Sequence, residues 1–307
     1  MSRDFTPPDL GDLGRDLPES DARSVGRQSQ DQDRDADEQT PPALPERSPE
    51  RGVEDLRPDL HFRDGRTVLY DRDRGYRLGE SEIRTIIELG KFRVVATHDL
   101  SEHTYGGQRE LVDRDVQKLV RQGLARKGTF NGPEANPREL LTLTKRGHRL
   151  LRANRLASKD QAVYYGFVKP REANHDADLY RLYQKEAARI EERGGRNLRV
   201  ILDYELKRKI NREMARLGTE ARPEIAARHG LQMVGNKIPV LDLRIEYETR
   251  DGDTTRVNLE LVTEHYRGRH LADKVHAGFS LYTPHGEADH LRRVLDQHEL
   301  TADILSL

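Results

Sequence analysis

The sequence predicts an α+β protein with two folded parts behind an N-terminal tail, and three observations support that fold class. Residues 61–157 show helical apolar spacing followed by two strand-like runs, Leu124–Phe130 and Leu140–Thr144. Residues 158–307 alternate helical and strand-like segments. Residues 1–60 are rich in Asp, Arg, Pro, Ser and Gln and hold few large apolar side chains, so we expect them to be disordered.

Charge divides the chain at the same place. Residues 1–60 carry 16 acidic and 8 basic residues, whereas the rest of the chain carries 38 acidic and 45 basic residues. An acidic tail on a basic body is typical of nucleic-acid-binding proteins. We interpret the tail as a solvated leader. The alternative is a mimic of DNA phosphate that covers the basic body, but the arginines of the tail weaken that mimicry.

Other bulk properties argue against whole classes of protein. The chain has no cysteine, which excludes disulfides and thiolate zinc sites and favours a reducing, cytoplasmic location. It has no apolar run long enough to span a bilayer, and its N-terminus lacks the hydrophobic region of a secretory signal. We therefore expect no membrane partner.

A hairpin and three helices are predicted at the start of the first folded part. Ser81 is the expected N-cap of the first helix and Gly90 its stop. Gly123 is the expected glycine just past the third helix. The predicted segments are Thr67–Tyr70 and Gly75–Leu78 for the hairpin, about 81–90, 98–105 and 108–122 for the helices, and 145–157 for a further helix after the strands.

Three helices followed by a two-stranded hairpin form the winged-helix arrangement, in which the third helix enters the major groove of DNA. Residues 120–125 and 141–147 resemble the wing of bacterial regulators of the multiple-antibiotic-resistance and phenolic-acid-response types. Residues 81–155 carry 15 basic and 9 acidic residues, which agrees with a double-stranded DNA partner. The alternative is a winged helix used for protein contacts. The candidate DNA-binding residues are Arg109, Arg114, Gln117, Lys118 and Arg121 on the third helix and Arg126, Lys127 and Arg138 on the wing.

The second folded part places carboxylates on predicted strands. Ile238–Glu248 and Thr254–Thr263 are predicted as two strands joined by an Asp-Gly turn. Asp242 lies on the first strand and Glu260 on the second, where an unpaired charge is costly. The other predicted segments are an aromatic strand at Tyr164–Val168, a strand at Arg199–Tyr204, helices at about 178–193, 205–217, 271–282 and 287–298, and a short strand or tail at 300–306.

This order of elements resembles the restriction-endonuclease-like core. Together with the winged helix, residues 78–285 resemble the replication-relaxation family of plasmid and mobile-element proteins. That family has a glutamate at the first strand-to-helix junction, then an aspartate and a glutamate on the next two strands, followed by a lysine. The three acids match Glu205, Asp242 and Glu260.

Two departures from the family pattern concern the residues beside the acids. The usual Pro-Asp is Leu241-Asp242 here, and Val262 stands where the strand lysine of the Glu-x-Lys motif is expected. Lys274 on the following helix could supply the missing charge, and Lys207 is another candidate.

The resemblance implies an α/β restriction-endonuclease-like domain over 158–307 that acts as a metal-dependent nickase. Asp242 and Glu260 would bind Mg²⁺, Lys274 would orient the attacking water or offset charge on phosphorus, and Glu205 would support them. The alternative is that Glu260 forms a buried ion pair with Lys274 or Arg244 and binds no metal. Residues expected to hold the DNA backbone near this site are Thr263, Tyr266, Arg267 and Arg269.

The histidines do not form a compact ligand motif. His175 is interpreted as a residue that precedes a helix rather than as a ligand. Surface positions are expected for His265, His270, His276, His285, His290 and His298.

These patterns leave three hypotheses about function. The first is a DNA-binding protein of plasmid or mobile-element type that nicks or holds its duplex. The second is a non-enzymatic winged-helix transcriptional regulator whose C-terminal domain forms a homodimer or binds a partner. The third is a protein-interaction module without a nucleic-acid role.

Overall fold

The computed structural model describes residues 65–132, 136–263, 266, 268–284, 288–297, 300, 302 and 304–307. The tail expected to be disordered, residues 1–60, lies outside the described residues. The described chain is mixed α+β, as predicted. None of its helices has the length and apolar character needed to cross a membrane.

The described chain contains both helices and strands. The helices are α1 (Glu80–Phe92), α2 (Thr97–Tyr105), α3 (Arg109–Arg121), α4 (Lys145–Ala153), α5 (Pro170–Glu192), α6 (Asp203–Leu217), α7 (Arg222–Arg228), α8 (Gly268–His276) and α9 (Ala288–Gln297). The strands are β1 (Arg66–Asp71), β2 (Arg74–Gly79), β3 (Val95–Ala96), β4 (Ala125–Asn131), β5 (Pro137–Leu143), β6 (Arg196–Leu202), β7 (Leu243–Glu248), β8 (Thr254–Leu261), β9 (Ser280–Thr283) and β10 (Ile304–Ser306).

The strands form three sheets. β1 and β2 make the predicted antiparallel hairpin, and β3, β5 and β4 make an antiparallel sheet in that order. The third sheet has the order β10-β9-β8-β7-β6. The pairs β6–β7 and β7–β8 are antiparallel, whereas the pairs β8–β9 and β9–β10 are parallel.

Helix α5 lies between the first sheets and the five-stranded sheet. The ring of Phe92 on α1 packs against Tyr180 and Tyr183 of α5, with centroid distances of 5.1 and 5.0 Å. The same apolar core continues into Leu243 and Leu259 of the five-stranded sheet. Because α5 is covered on both sides, it joins the two parts of the chain. The expected domain boundary at about residue 157 falls between α4 and α5.

The start and end of α1 differ from the prediction. The helix begins after Gly79, whose N–H donates to Glu82 Oε2 at 2.7 Å, whereas Ser81 lies inside the helix. Gly90 does not end the helix, because it also lies inside it. A Cβ atom there would come within 2.7 Å of Leu151 Cδ1. The glycine therefore permits close packing of α1 on α4 and is not a stop signal.

Two other segments differ from the prediction in their secondary structure. Residues 164–168 form no strand, because Tyr164 N–H donates to Gly90 O and Gly166 N–H to Leu143 O, outside any ladder. The helix predicted at 271–282 stops at His276, and Gly278 follows with φ +74°. Ser280–Thr283 then forms β9 beside β8. The glycine reverses the chain and returns it to the sheet.

Candidate functional site

Asp242 and Glu260 lie near each other at one end of the five-stranded sheet. In the antiparallel pair β7–β8, Leu243 pairs with Leu259. Glu260 is the next residue of β8, whereas Asp242 directly precedes β7, which starts later than the strand predicted from Ile238. The Leu261 N–H also donates to Asp242 Oδ2 at 3.0 Å. The strands therefore bring the two candidate metal ligands together.

Glu260 is fully buried and is held through one of its two oxygens. Its Oε1 accepts a hydrogen bond from Tyr266 Oη at 2.6 Å and lies 2.6 Å from Lys274 Nζ. Lys274 also donates to Val240 O at 2.6 Å, which fixes the ammonium between strand and helix. The other oxygen, Oε2, has no hydrogen-bond partner among the described residues. One acceptor of this buried carboxylate is thus left for a further group.

The surroundings of Glu260 disfavour the charged form of its carboxylate. Burial, followed by the negative charge of Asp242, raises the pKa of Glu260 well above its ordinary value. Lys274 and the Tyr266 hydroxyl act in the opposite direction. A second cation near the two carboxylates would relieve the repulsion between them.

His175 of α5 brings a positive charge to Asp242. Its Nε2 lies 3.4 Å from Asp242 Oδ2, and its Nδ1 lies 3.6 Å from Asp176 Oδ1. Burial lowers the pKa of His175, but its hydrogen bonds and charge interactions with the two aspartates outweigh burial and raise the pKa to about 10. The interpretation of His175 as a residue preceding a helix was wrong, because α5 starts at Pro170 and includes it.

Glu205 belongs to a different group of charges. Its Oε1 accepts hydrogen bonds from Arg199 at 2.9 Å and Lys209 at 2.6 Å. No hydrogen bond or ion pair joins it to Asp242 or Glu260 in the described part of the chain. Lys207, the other lysine candidate, pairs with Asp203 at 2.6 Å. The geometry therefore groups Asp242, Glu260 and Lys274 and leaves Glu205 and Lys207 outside.

The donor set fits a hard divalent cation with few protein ligands. No group of three or more His, Cys, Asp or Glu side chains suited to a metal is present among the described residues. Mg²⁺ does not need such a group, because it keeps several waters and binds through one or two carboxylates together with substrate phosphates. Asp242 and the partnerless Oε2 of Glu260 match that requirement. The chemistry of the site is thus compatible with Mg²⁺.

The other residues expected near this pocket differ in their positions. Tyr266, expected to hold DNA, instead donates to Glu260. Arg269 and His270 are exposed on α8. Arg267, His265, His285 and His298 lie outside the described residues.

The outer face of α3 is basic and only partly neutralised. Arg109, Gln117 and Arg121 are exposed. Arg114 Nε lies 3.0 Å from Asp115 Oδ1 and its side chain is also exposed. Lys118 is turned inward, because its Nζ lies 3.5 Å from the buried Glu82.

The three wing candidates differ in their surroundings. Arg126 is exposed, with its guanidinium 5.0 Å from the centre of the Phe167 ring. Lys127 pairs with Glu139 at 2.7 Å and stays half exposed. Arg138 is largely buried and donates to Asp178 of α5 at 2.9 Å. The guanidinium of Arg138 therefore ties the wing to α5.

A groove of about 290 Å³ separates α3 from the wing. Its lining consists of the apolar Val116 and Val120 and the polar Gln117, Arg121 and Lys127. An apolar notch between basic side chains can contact a thymine methyl group while the rim reaches phosphates.

A buried polar network supports α3 from behind. Asp115 is fully buried and accepts hydrogen bonds from Ser81 Oγ and from Tyr105 Oη, the latter at 3.3 Å. Thr85 Oγ1 lies 2.6 Å from Tyr105 Oη. Sequence periodicity did not indicate this network, since Asp115 is one of several charged residues in α3 and nothing in the sequence marks it as buried.

Comparison of the chain with protein-family models, with curated proteins and with solved structures gives no match.

Proposed function

We propose that this protein is a DNA-binding protein of the plasmid and mobile-element replication-relaxation type, whose C-terminal part is a Mg²⁺-dependent nickase. The observation that carries the proposal is the convergence of Asp242, Glu260 and Lys274. Two carboxylates with a lysine at the end of a mixed sheet are suited to metal-assisted hydrolysis of a phosphodiester.

The order of elements supports the same function. Helix α5 is followed by strand β6, helices α6 and α7, the antiparallel strands β7 and β8, helix α8 and strand β9, which runs parallel to β8. Apart from α6 and α7 between its first two strands, this order is similar to the restriction-endonuclease-like core. Glu260 lies on the central strand β8, and Asp242 directly precedes the neighbouring strand β7.

Each side chain has a defined task in the proposed reaction. Bound Mg²⁺ would polarise the phosphodiester and lower the pKa of a bound water. Lys274 offsets negative charge as the water oxygen bonds to phosphorus, the ester bond to the leaving oxygen breaks and that oxygen takes up a proton. Tyr266 orients Glu260 through Oε1 so that Oε2 stays available. His175 orients Asp242 in the same way.

The N-terminal winged-helix part of the chain binds the duplex in this proposal. In this function α3 enters the major groove, with Arg109, Arg114, Gln117 and Arg121 facing DNA and Arg126 and Lys127 reaching the flanking backbone. Arg138 is left out of the interface, because Asp178 already satisfies it.

A plasmid-nicking assay tests the proposal. Supercoiled plasmid should relax with Mg²⁺ or Mn²⁺ and stay intact in EDTA, while Asp242→Asn should bind duplex without nicking it. Intact plasmid under every metal condition would reject the nickase. Absence of duplex binding in EDTA would reject the DNA-binding function as a whole.

One observation favours a non-enzymatic alternative. Glu260 and Lys274 already form a buried ion pair at 2.6 Å, and such a pair can persist without a metal. The protein would then be a winged-helix transcriptional regulator whose C-terminal part forms a homodimer or binds a partner. Duplex binding without nicking, at any concentration of Mg²⁺ or Mn²⁺, is the result that this alternative requires.

A further inference from the structure

Helix α6 carries a row of arginines on its outer face. Arg208, Arg212 and Arg216 follow one another at intervals of four residues, and all three are exposed. Four residues of α-helix rise about 6 Å, so the row extends over about 12 Å. Leu206 and Ile210 occupy the opposite, buried face of the helix.

The carboxylates of α6 are engaged with other cations. Asp203 pairs with Lys207, and Glu205 with Arg199 and Lys209. Glu213 is bound by Arg228 at 2.5 Å and by His229 at 2.9 Å. Within the described residues, no carboxylate pairs with any of the three arginines. Their charges therefore remain available to an external anion.

The rest of the exposed face indicates what kind of anion it fits. Asn211 and Ala215 lie between the arginines, so the face presents no large apolar side chain near its centre. A helix that lies on a membrane needs an apolar face that can enter the lipid, and the apolar face of α6 is already buried. A row of guanidinium groups instead matches the phosphates of a nucleic-acid backbone, which arginine binds with two parallel hydrogen bonds.

The row is connected to the wing through the segment between α4 and α5. The guanidinium of Arg93 lies 5.4 Å from the ring centre of Tyr204 on α6, and its Nε donates to Gly166 O at 3.2 Å. Tyr204 packs edge-on against Tyr164 at 5.0 Å. Arg126 of the wing lies over Phe167 of the same segment. Basic groups therefore occur along the surface from the wing to α6.

We infer that the outer face of α6 is a second DNA-backbone contact, which engages the same duplex as α3 and the wing. This inference rests on the proposed DNA-binding function and adds a contact in the C-terminal part. Because α6 starts at Asp203, whose N–H donates to Asp242 O at 3.1 Å, a duplex held along α6 lies beside the carboxylate pocket. The arginine row thus brings the phosphodiester to the proposed nicking site.

The test compares the salt dependence of DNA binding in full-length variants. A duplex of about 30 base pairs is titrated by fluorescence anisotropy in EDTA, between about 50 and 200 mM salt. The triple variant Arg208→Gln, Arg212→Gln, Arg216→Gln removes three charges, and each lost phosphate contact reduces the slope of log K against log salt by about 0.9. We expect the slope to fall by about 2 to 3.

Two matched variants control for charge and for folding. Replacement of the same arginines by lysine keeps the charges and should keep the wild-type slope within about 0.9. Arg292→Gln with Arg293→Gln removes two exposed arginines from α9 and should leave the slope unchanged. Circular dichroism checks that each variant keeps its helical content.

The outcomes separate the two proposals. If wild-type protein binds the duplex and the triple glutamine variant keeps its slope, the α6 contact is rejected and the DNA-binding function stands. If the wild-type protein does not bind the duplex, both are rejected. A loss of slope in the glutamine variant alone supports the α6 contact.

Discussion

Lys274 Nζ lies 2.6 Å from Glu260 Oε1, although the lysine belongs to helix α8 and the glutamate to strand β8. In a Glu-x-Lys strand motif the cation would stand at Val262, which is buried and apolar here. The chain leaves the sheet after β8, and helix α8 then places the Lys274 ammonium beside the Glu260 carboxylate. Glu260 therefore takes its cation from a separate helix and not from its own strand.

Substitution of a candidate metal ligand should separate cleavage from binding. Glu260→Ala is expected to reduce Mg²⁺-dependent nicking by at least about 100-fold, because several kcal/mol of charge stabilisation is lost. Duplex affinity in EDTA should stay at the wild-type value. Glu248→Gln, at the far end of β7, is the matched control and should nick normally. Unchanged nicking by Glu260→Ala would remove Glu260 from the mechanism.

Loss of two exposed arginines of α3 should weaken DNA binding. Arg109→Gln with Arg121→Gln is expected to reduce the slope of log K against log salt by about 1.8, as for two lost phosphate contacts. Lys118 is left intact because it pairs with the buried Glu82, so its loss would also affect folding. Equal slopes for variant and wild type, measured by anisotropy, would exclude α3 as the docking helix.

Removal of the Tyr266 hydroxyl should destabilise the fold. Tyr266→Phe deletes the 2.6 Å hydrogen bond to a buried carboxylate, and hydrogen bonds to charged groups contribute about 1.5–3 kcal/mol. Urea unfolding should report a free energy of unfolding lower by that amount. Tyr165→Phe, at an exposed ring, should change it by less than about 0.5 kcal/mol. Equal losses in both variants would contradict the assigned bond.

A side chain at Gly147 should disrupt the junction between the wing and α4. A Cβ atom there would come within 2.1 Å of the Leu124 carbonyl oxygen, so the backbone must move. Gly147→Ala is expected to lower the free energy of unfolding by about 2–3 kcal/mol in urea titrations. Gly65→Ala, which meets no atom within 4 Å, is the control. A stable Gly147→Ala variant would contradict this close approach.

The ion pair between Asp71 and Arg149 should make stability depend on acid pH. Arg149 Nη2 donates to Asp71 Oδ2 at 2.9 Å and holds the pKa of that carboxyl below its ordinary value. The stabilisation is present above the unfolded-state pKa and is lost as pH falls through the lower folded-state pKa. Asp71→Asn should therefore be less stable than wild type at pH 7, and the difference should shrink below about pH 4. A difference that stays constant with pH would contradict the pair.

Local patterns predicted most elements of the described chain. Apolar spacing indicated α3, and the turn residues Asp251-Gly252 indicated the β7–β8 hairpin, because both signals are confined to a few neighbouring residues. Asp242, Glu260 and Lys274 were predicted to form one site; in the structure Lys274 Nζ lies 2.6 Å from Glu260 Oε1, and Asp242 accepts a hydrogen bond from the Leu261 N–H. Their roles in metal binding and cleavage stay predictions.

The roles of residues that depend on contacts with distant parts of the sequence were not predicted. Gly90 was expected to be a helix stop, but its role is decided by Leu151, far along the chain. His175 reaches Asp242 only because α5 packs against the five-stranded sheet. Glu205 matched a family position, yet Arg199 and Lys209 decide its surroundings. Side chains from other elements set these roles, and a sequence pattern does not contain them.

Helix α5 has a practical consequence for dissecting the chain. Its 23 residues cover Phe92 on one side and the strands of the large sheet on the other. An expression fragment ending at residue 157 would leave Phe92 in contact with water and should aggregate. A fragment extended to Glu192 retains that cover for the N-terminal part, but the C-terminal part then loses the helix that packs against the large sheet. The two parts are better compared by point substitution than by truncation.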